Sequence, residues 1–282
     1  MWNLLKHSRA ALSLLTVEDV RRRAETPVHF GLVADNAGAY GEMEEFLAPE
    51  EMGAEERRRT MEGVHRASDP EPPPQVDVVL YEPGLACPSG AYSYRRGANR
   101  ETAAEILADK PALSLALARR YPVFRGPVVE RILHEVSMEN TMFAVAAAVP
   151  NILPSVIELP WAVGEFASDT AFLTANQARM ALQIAAACGK PVGFVEQKFE
   201  MLGIVGGAFG WRTLARELVG HIPFGGGLIP KGAIAYAGTW LVGKGLERLY
   251  LTGTRPNRAD RKALYEEALE RGRRVARAVR AG

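Results

Sequence analysis

The chain has 282 residues, is 48% hydrophobic and 24% charged, and carries a formal net charge of +1. These values suit one large or two ordinary globular domains with enough apolar material for a core. The near-zero balance excludes a global electrostatic pull toward nucleic acid or acidic membranes, and no nucleic-acid partner is expected. Two cysteines, Cys87 and Cys188, stand far apart without a CxxC pair, which fits a reducing, cytoplasmic setting.

Residues 1–25 (MWNLLKHSRAALSLLTVEDVRRRAE) place apolar residues at broadly helical spacing and show no small-residue cleavage site. They read as an amphipathic helix docked on the protein's own core, with a membrane-surface anchor as the alternative. Residues 26–126 follow as a small α/β domain. A buried-strand run, Val28 to Val33, leads into the small-residue turn Asp35-Asn36-Ala37-Gly38-Ala39-Tyr40 and a helix from about Glu42. The charged stretch EEMGAEERRRTMEGVHRA reads as helical or partly mobile, and Asp69-Pro70-Glu71-Pro72-Pro73-Pro74 breaks regular structure. VDVVLYEPG is a second buried strand, closed by Pro83-Gly84. Glu101 to Leu107 and Ala112 to Arg120 look helical, and the alternation of strand and helix marks an α/β unit.

From Pro127 the pattern is helical. Residues 127–254 form an all-α domain and 255–282 a basic C-terminal helix, so the fold class is α/β plus all-α, predominantly helical overall. Pro127 suits a first helical position. Thr174-Ala-Asn-Gln177 has the form of a capping box, and the helix it opens ends at Gly189 with Pro191 beyond. A helix from about Val192 to Val219, a turn at Phe224 to Pro230, a returning helix from Lys231 to Tyr250 and a last helix from Arg258 to Val279 complete the chain. Thr141 to Ile157 comes nearest to a membrane span, but Pro150, Asn151 and Pro154 interrupt it.

The segment ASDTAFLTANQARMALQIAAACGKP, followed by MLGIVGGAFGWRTLARELVGHIPFGGGLIPKGAIAYAGTWLVGKGLERLY, resembles the helical domain of unknown function of YcjF-like proteins. The shared features are the polar SD…LT-NQ stretch, a glycine-spaced helix, an IP turn and a returning helix with Gly243. The resemblance covers roughly Ile152 to Tyr250. It implies a small GTPase-like domain ahead of the helices and, for some members, association with a membrane.

With that resemblance, the turn after the first strand is similar to the phosphate loop of Era- and TrmE-type GTPases, which ends N-V-G-K-S. Asn36 and Gly38 match, whereas the Lys and Ser positions hold Ala39 and Tyr40. Those GTPases carry D-T-P-G after a second strand. Here Tyr81-Glu82-Pro83-Gly84 keeps the Pro and Gly, and Tyr81 stands where the magnesium-shell Asp would be. No N-K-x-D that reads guanine is present. Phosphoryl transfer needs cations and a hydroxyl around the phosphates, so the resemblance implies a degenerate P-loop unit that does not hydrolyse GTP. Asp35, Glu42, Glu44 and Glu45 are expected to make the helix entrance acidic and repel an anion. The candidate cofactor-binding residues are thus Asp35, Asn36, Ala37, Gly38, Ala39, Tyr40, Glu82, Pro83 and Gly84, with no cofactor and no catalytic residue expected. A dinucleotide fold around Gly38 and Gly41 is the competing reading, but it lacks the first Gly and the ribose-binding acid.

Gly203, Gly206, Gly207 and Gly210 form overlapping GxxxG pairs and read as a close helix contact, either within the protein or with a partner. Gly225 to Gly227 with Lys231 could cradle an anion, although a turn between antiparallel helices explains the glycines without a ligand and is the favoured reading. Asp169, Asn176 and Gln177 are candidates for a buried polar network, with capping as the simpler reading. Glu130 and His134 share a helix face without a third metal ligand, so no metal is expected. The expectation is a non-catalytic GTPase-like scaffold or regulatory protein, cytoplasmic or peripheral to the inner membrane. Its partner would be another protein or a second copy, engaged through the helical domain. A nucleotide-binding switch without hydrolysis and a membrane-inserted helical protein are the alternatives.

Overall fold

The computed structural model describes residues 17–67, 76–146, 169–203 and 228–281. The chain is predominantly helical with one small sheet. It divides into two units: Val20–Glu130 with Ala186–Lys190, and a helical unit built mainly from Arg131–Ala185 and Pro191–Gly282.

The α/β unit begins in helix α1 (Val17–Glu25), which buries Val20 and Ala24. Strand β1 (Phe30–Val33) is buried along its whole length. Helix α2 (Ala37–Leu47) buries Ala39, Met43, Phe46 and Leu47, the spacing of one helical face. Helix α3 (Ala54–Met61) has Glu55 and Glu56 in its first turn and Arg58 and Arg59 in its last, matching the helix dipole. Strands β2 (Val64–Ala67), β3 (Val78–Tyr81) and β4 (Tyr92–Ser93) complete the sheet. Its order is β2-β1-β3-β4 and every pairing is parallel. The chain therefore runs outward from β1 to β2, crosses β1, and runs outward again through β3 and β4. That is the order of a doubly wound sheet, with its switch point between β1 and β3.

Helices α4 (Asn99–Asp109) and α5 (Ser114–Arg120) follow, joined by a 3₁₀ turn at Pro111–Leu113. Phe30, Phe46, Tyr94, Tyr121 and Phe124 make an aromatic cluster, with Phe30 and Tyr121 edge-to-face at 4.8 Å. Tyr121 is fully buried, and its hydroxyl donates to the Val28 carbonyl at 3.1 Å. Burial pushes its phenol up to about 12.

The helical unit is formed from the later part of α6 (Pro122–Ala146), from α7 (Asp169–Ala187), helical residues 198–203, which are the last described before residue 228, α8 (Leu228–Thr252) and α9 (Arg258–Ala281). Its core is crossed by a polar chain. The Asn176 amide donates to Asn140 Oδ1 at 2.9 Å, and the Asn140 amide donates to Thr239 Oγ1 at 2.8 Å. Thr239 in turn donates to the Ala235 carbonyl at 2.9 Å. Asn140 and Asn176 have no exposed surface, so each bond substitutes for a lost water. The Glu139 carboxyl is raised by burial, against the opposing pull of Arg179, with which it pairs.

Four expectations need correction. The charged stretch after α2 is not helical to its end: residues 64–67 form β2, because parallel pairing with β1 satisfies their backbone groups. β2 is half exposed, and His65 and Arg66 hide its strand character. Pro127 is not a first helical residue. α6 starts at Pro122, which takes that role, and Pro127 lies within the helix. Thr174 and Gln177 do not form a capping box, because α7 starts five residues earlier and both side chains are buried within it. Residues 192–197 are not helical; the helix begins at residue 198, and the part of the expected helix beyond residue 203 lies outside the described residues. Residues 1–16, the Asp69–Pro74 breaker, the interrupted apolar run beyond Ala146, Gly206, Gly207, Gly210 and Gly225–Gly227 lie outside the described residues. Among the described residues, no helix is long and apolar enough to cross a membrane.

Candidate functional site

The carboxyl ends of β1 and β3 bring the two sequence-predicted loops together. In doubly wound sheets this crevice is where ligands bind. After β1 the chain passes through Ala34, Asp35 and Asn36 into α2. Asn36 has extended backbone (φ −142°, ψ 155°), and its Oδ1 accepts the Ala39 N–H at 3.0 Å. It is an N-cap, satisfying one of the donors left open at a helix start. Gly38 leaves room for this: a Cβ there would lie 3.2 Å from Asn36 Oδ1.

After β3 comes Glu82. Its Oε2 accepts the Asp35 N–H at 3.0 Å, and its Oε1 accepts the Asn36 side-chain amide at 2.7 Å. The protein's own carboxylate thus holds backbone and side-chain donors that a bound anion would use. Pro83 and Gly84 shape the turn that follows. Leu85 N donates to the Glu82 carbonyl at 3.3 Å and Gly84 has φ +98°. Pro second and a positive-φ Gly third is the composition of a type II turn, which accounts for both residues without a ligand.

Tyr40 is the residue that the resemblance sets against the hydroxyl position of a phosphate loop. Its own hydroxyl contacts the Ala34 carbonyl at 2.9 Å and the Ala67 carbonyl, linking the first turn of α2 to the ends of β1 and β2. Arg66 lies over the Tyr40 ring, 5.2 Å from its centre. Tyr81, which the resemblance sets against the magnesium-shell Asp, is a buried residue of β3. The structure thus gathers Asp35, Asn36 and Glu82 into one bonded cluster, with Tyr40 tied separately to the Ala34 and Ala67 carbonyls. Ala37 opens α2 and Ala39 is buried in its first turn.

Of the four acids expected at the helix entrance, Asp35 stands there, whereas Glu42, Glu44 and Glu45 lie beyond the first turn and are paired. Glu42 pairs with Arg96 at 2.7 Å, Glu44 with Arg66 at 2.6 Å and Glu45 with Arg57 at 3.2 Å. The first turn of α2 contains no acid, so the negative groups at the entrance are Asp35 and Glu82. Sequence reasoning included Glu82 only for its place beside Pro83-Gly84. Its bond to Asn36 joins residues 46 apart, a contact that no local pattern displays.

In the helical unit, Gly203 is exposed, and a Cβ on it would meet nothing within 4 Å among the described residues. Close helix contact occurs at glycines that the sequence reading did not single out for it. A Cβ on Gly272 would fall 2.7 Å from the Ala233 carbonyl oxygen and 2.8 Å from Tyr236 Cβ. One on Gly232 would fall 2.9 Å from Val145, and one on Gly243 would overlap Leu133. Asn176 does join a buried polar network, through Asn140. His134 meets the Tyr236 hydroxyl at 3.0 Å, and Glu130 lies 3.6 Å from Arg100. No cluster of metal-binding side chains occurs among the described residues. No family model, curated protein or solved structure matches the chain.

Proposed function

We propose that this chain is a non-catalytic interaction protein. Its α/β unit is a nucleotide-fold frame closed by its own carboxylate, and its helical unit engages a protein partner or a second copy. The observation that carries this reading is Glu82, whose two carboxylate oxygens take the Asp35 N–H and the Asn36 amide at the switch point of the sheet. A triphosphate entering there would meet a negative group and no Lys, Ser or Thr from the loop. Arg57, Arg66 and Arg96, the arginines paired to α2, are engaged with Glu45, Glu44 and Glu42. Positioning and charge neutralisation supply nearly all of phosphoryl-transfer catalysis, and this loop offers neither.

The test is titration of the full chain with GTP, GDP and ATP, with and without magnesium, alongside a hydrolysis assay. The expected outcome is no magnesium-dependent binding and no turnover above the blank. Magnesium-dependent micromolar binding that Glu82→Gln or Asn36→Ala alters would make the loop a working nucleotide site and overturn the reading. Sedimentation analysis across a range of protein concentrations then separates self-association from the need for a different partner.

A further inference from the structure

The opposite end of the sheet is arranged differently. A cavity of about 850 Å³ opens beside Thr26 and Pro27, which precede β1. It is bounded by the ends of α3 and α5 and by the Cys188–Lys190 turn after α7, all within the α/β unit. Its size is that of a small-molecule site.

Two kinds of cation line it. Arg59 and Arg125 are neutralised, by Glu55 at 2.9 Å and Glu56 at 3.1 Å. The lining residue Glu62 is engaged by Arg58 at 3.0 Å. Arg119 and Arg120 are instead held by backbone carbonyls. Arg119 donates one N–H to the Lys190 carbonyl at 2.7 Å. Arg120 donates to the Arg59 carbonyl at 2.7 Å and, more weakly, to the Thr60 carbonyl at 3.4 Å. A carbonyl anchors a guanidinium without cancelling its charge, and each guanidinium has five N–H donors. Lys190 is exposed and, like Arg119 and Arg120, has no ion pair among the described residues. Glu25 is the lining carboxylate in the same condition, so three unneutralised cations stand against one anion.

Two glycines permit the arrangement. Gly189 takes φ +73°, closes α7 and turns the chain so that the Lys190 carbonyl meets Arg119. At Gly63 a Cβ would lie 2.9 Å from the Val28 carbonyl oxygen and 3.3 Å from the Arg120 guanidinium carbon. We propose that this cavity binds a small polyanion, a molecule carrying clustered phosphate or carboxylate groups. Arg119 and Arg120 would act as pre-oriented forks and Lys190 as a rim charge. Rigid guanidiniums suit planar, bidentate recognition of such groups. The site is independent of the loop at Glu82.

The test is calorimetry of the full chain at low salt with inorganic pyrophosphate and with citrate as probes, without magnesium. One saturable site is expected, weakened roughly tenfold or more by Arg119→Gln and by Lys190→Gln. Arg274→Gln, an exposed charge of the helical unit, should leave affinity unchanged. A preference for pyrophosphate or for citrate assigns the ligand to the phosphate or the carboxylate class. Lys190 is exposed, so Lys190→Gln decides the matter should Arg119→Gln fail to fold. Absence of binding to both probes overturns the proposal. So does equal weakening by Arg274→Gln, which would reveal diffuse charge attraction, or full affinity in Lys190→Gln.

Discussion

The two units solve the same burial problem with different materials. The α/β unit packs large rings, Phe30, Phe46, Tyr94, Tyr121 and Phe124, and the buried Tyr121 hydroxyl donates to a backbone carbonyl. The helical unit packs small residues at Gly232, Gly243 and Gly272 and runs an amide chain through its interior. Rings fill volume and tolerate modest change, because dispersion and area burial are non-directional. Close backbone contacts and buried amides have no such tolerance. A methyl group has nowhere to go, and an unpaired amide cannot find water. The helical unit is therefore the more brittle of the two.

Four changes sharpen or break that contrast. The largest effect is expected for Asn140→Leu, which removes the partner of the Asn176 amide, while Asn176 Oδ1 already has no hydrogen bond among the described residues. The expected loss is roughly 2–4 kcal/mol, read by denaturant unfolding. A loss below about 1 kcal/mol would show that the amide chain is dispensable.

Next comes alkaline pH. The Tyr121 phenol is raised from 10.0 to about 12 on folding, so the folded state holds its proton more tightly than the unfolded chain does. Its contribution is complete below pH 10 and is lost as pH rises to about 12, an effect of roughly 2–3 kcal/mol. Tyr121→Phe should flatten the unfolding curve in that window, and an unchanged alkaline slope would refute the assignment.

Third is Gly272→Ala. The new methyl would meet the Ala233 carbonyl oxygen, a backbone atom with little freedom to retreat. A cost of roughly 1–3 kcal/mol is expected, visible as a lowered Tm. A neutral result would mean that α8 and α9 separate easily. The smallest effect is expected for Asn36→Ala in the α/β unit. It removes the cap on Ala39 N and the bond to Glu82, at a cost of about 1 kcal/mol by thermal melting.

The strands β1 and β3 were legible because continuous apolar runs bounded by turn residues signal buried strands. β2 was not: its sequence, Val64-His65-Arg66-Ala67, has a polar centre that makes sense only on a sheet edge. β4 is two residues long and leaves no periodic signal. The cluster at the switch point was half legible. The two loops were paired by analogy to a phosphate site, and the structure does bring them together. Asn36, however, serves as a helix cap and Tyr40 as a clasp between strands, roles set by neighbours distant in sequence. At Thr174 a local capping motif was overridden, since helical backbone bonds continue upstream wherever nothing interrupts them. The cavity beside Arg119 had no sequence signature, because its residues come from four separate stretches.

The sheet register has a kinetic consequence. Phe30 pairs with Val78, so the central strand must await residues 48 positions later before its second ladder can close. Helices α8 and α9 are joined by residues 253–257 alone and touch along much of their length. Loop closure between distant segments is slow and local contact is fast. During refolding, amide protection is therefore expected to arise first in the α8–α9 hairpin and last in β1 and β3, and the switch-point cluster assembles only in that final phase.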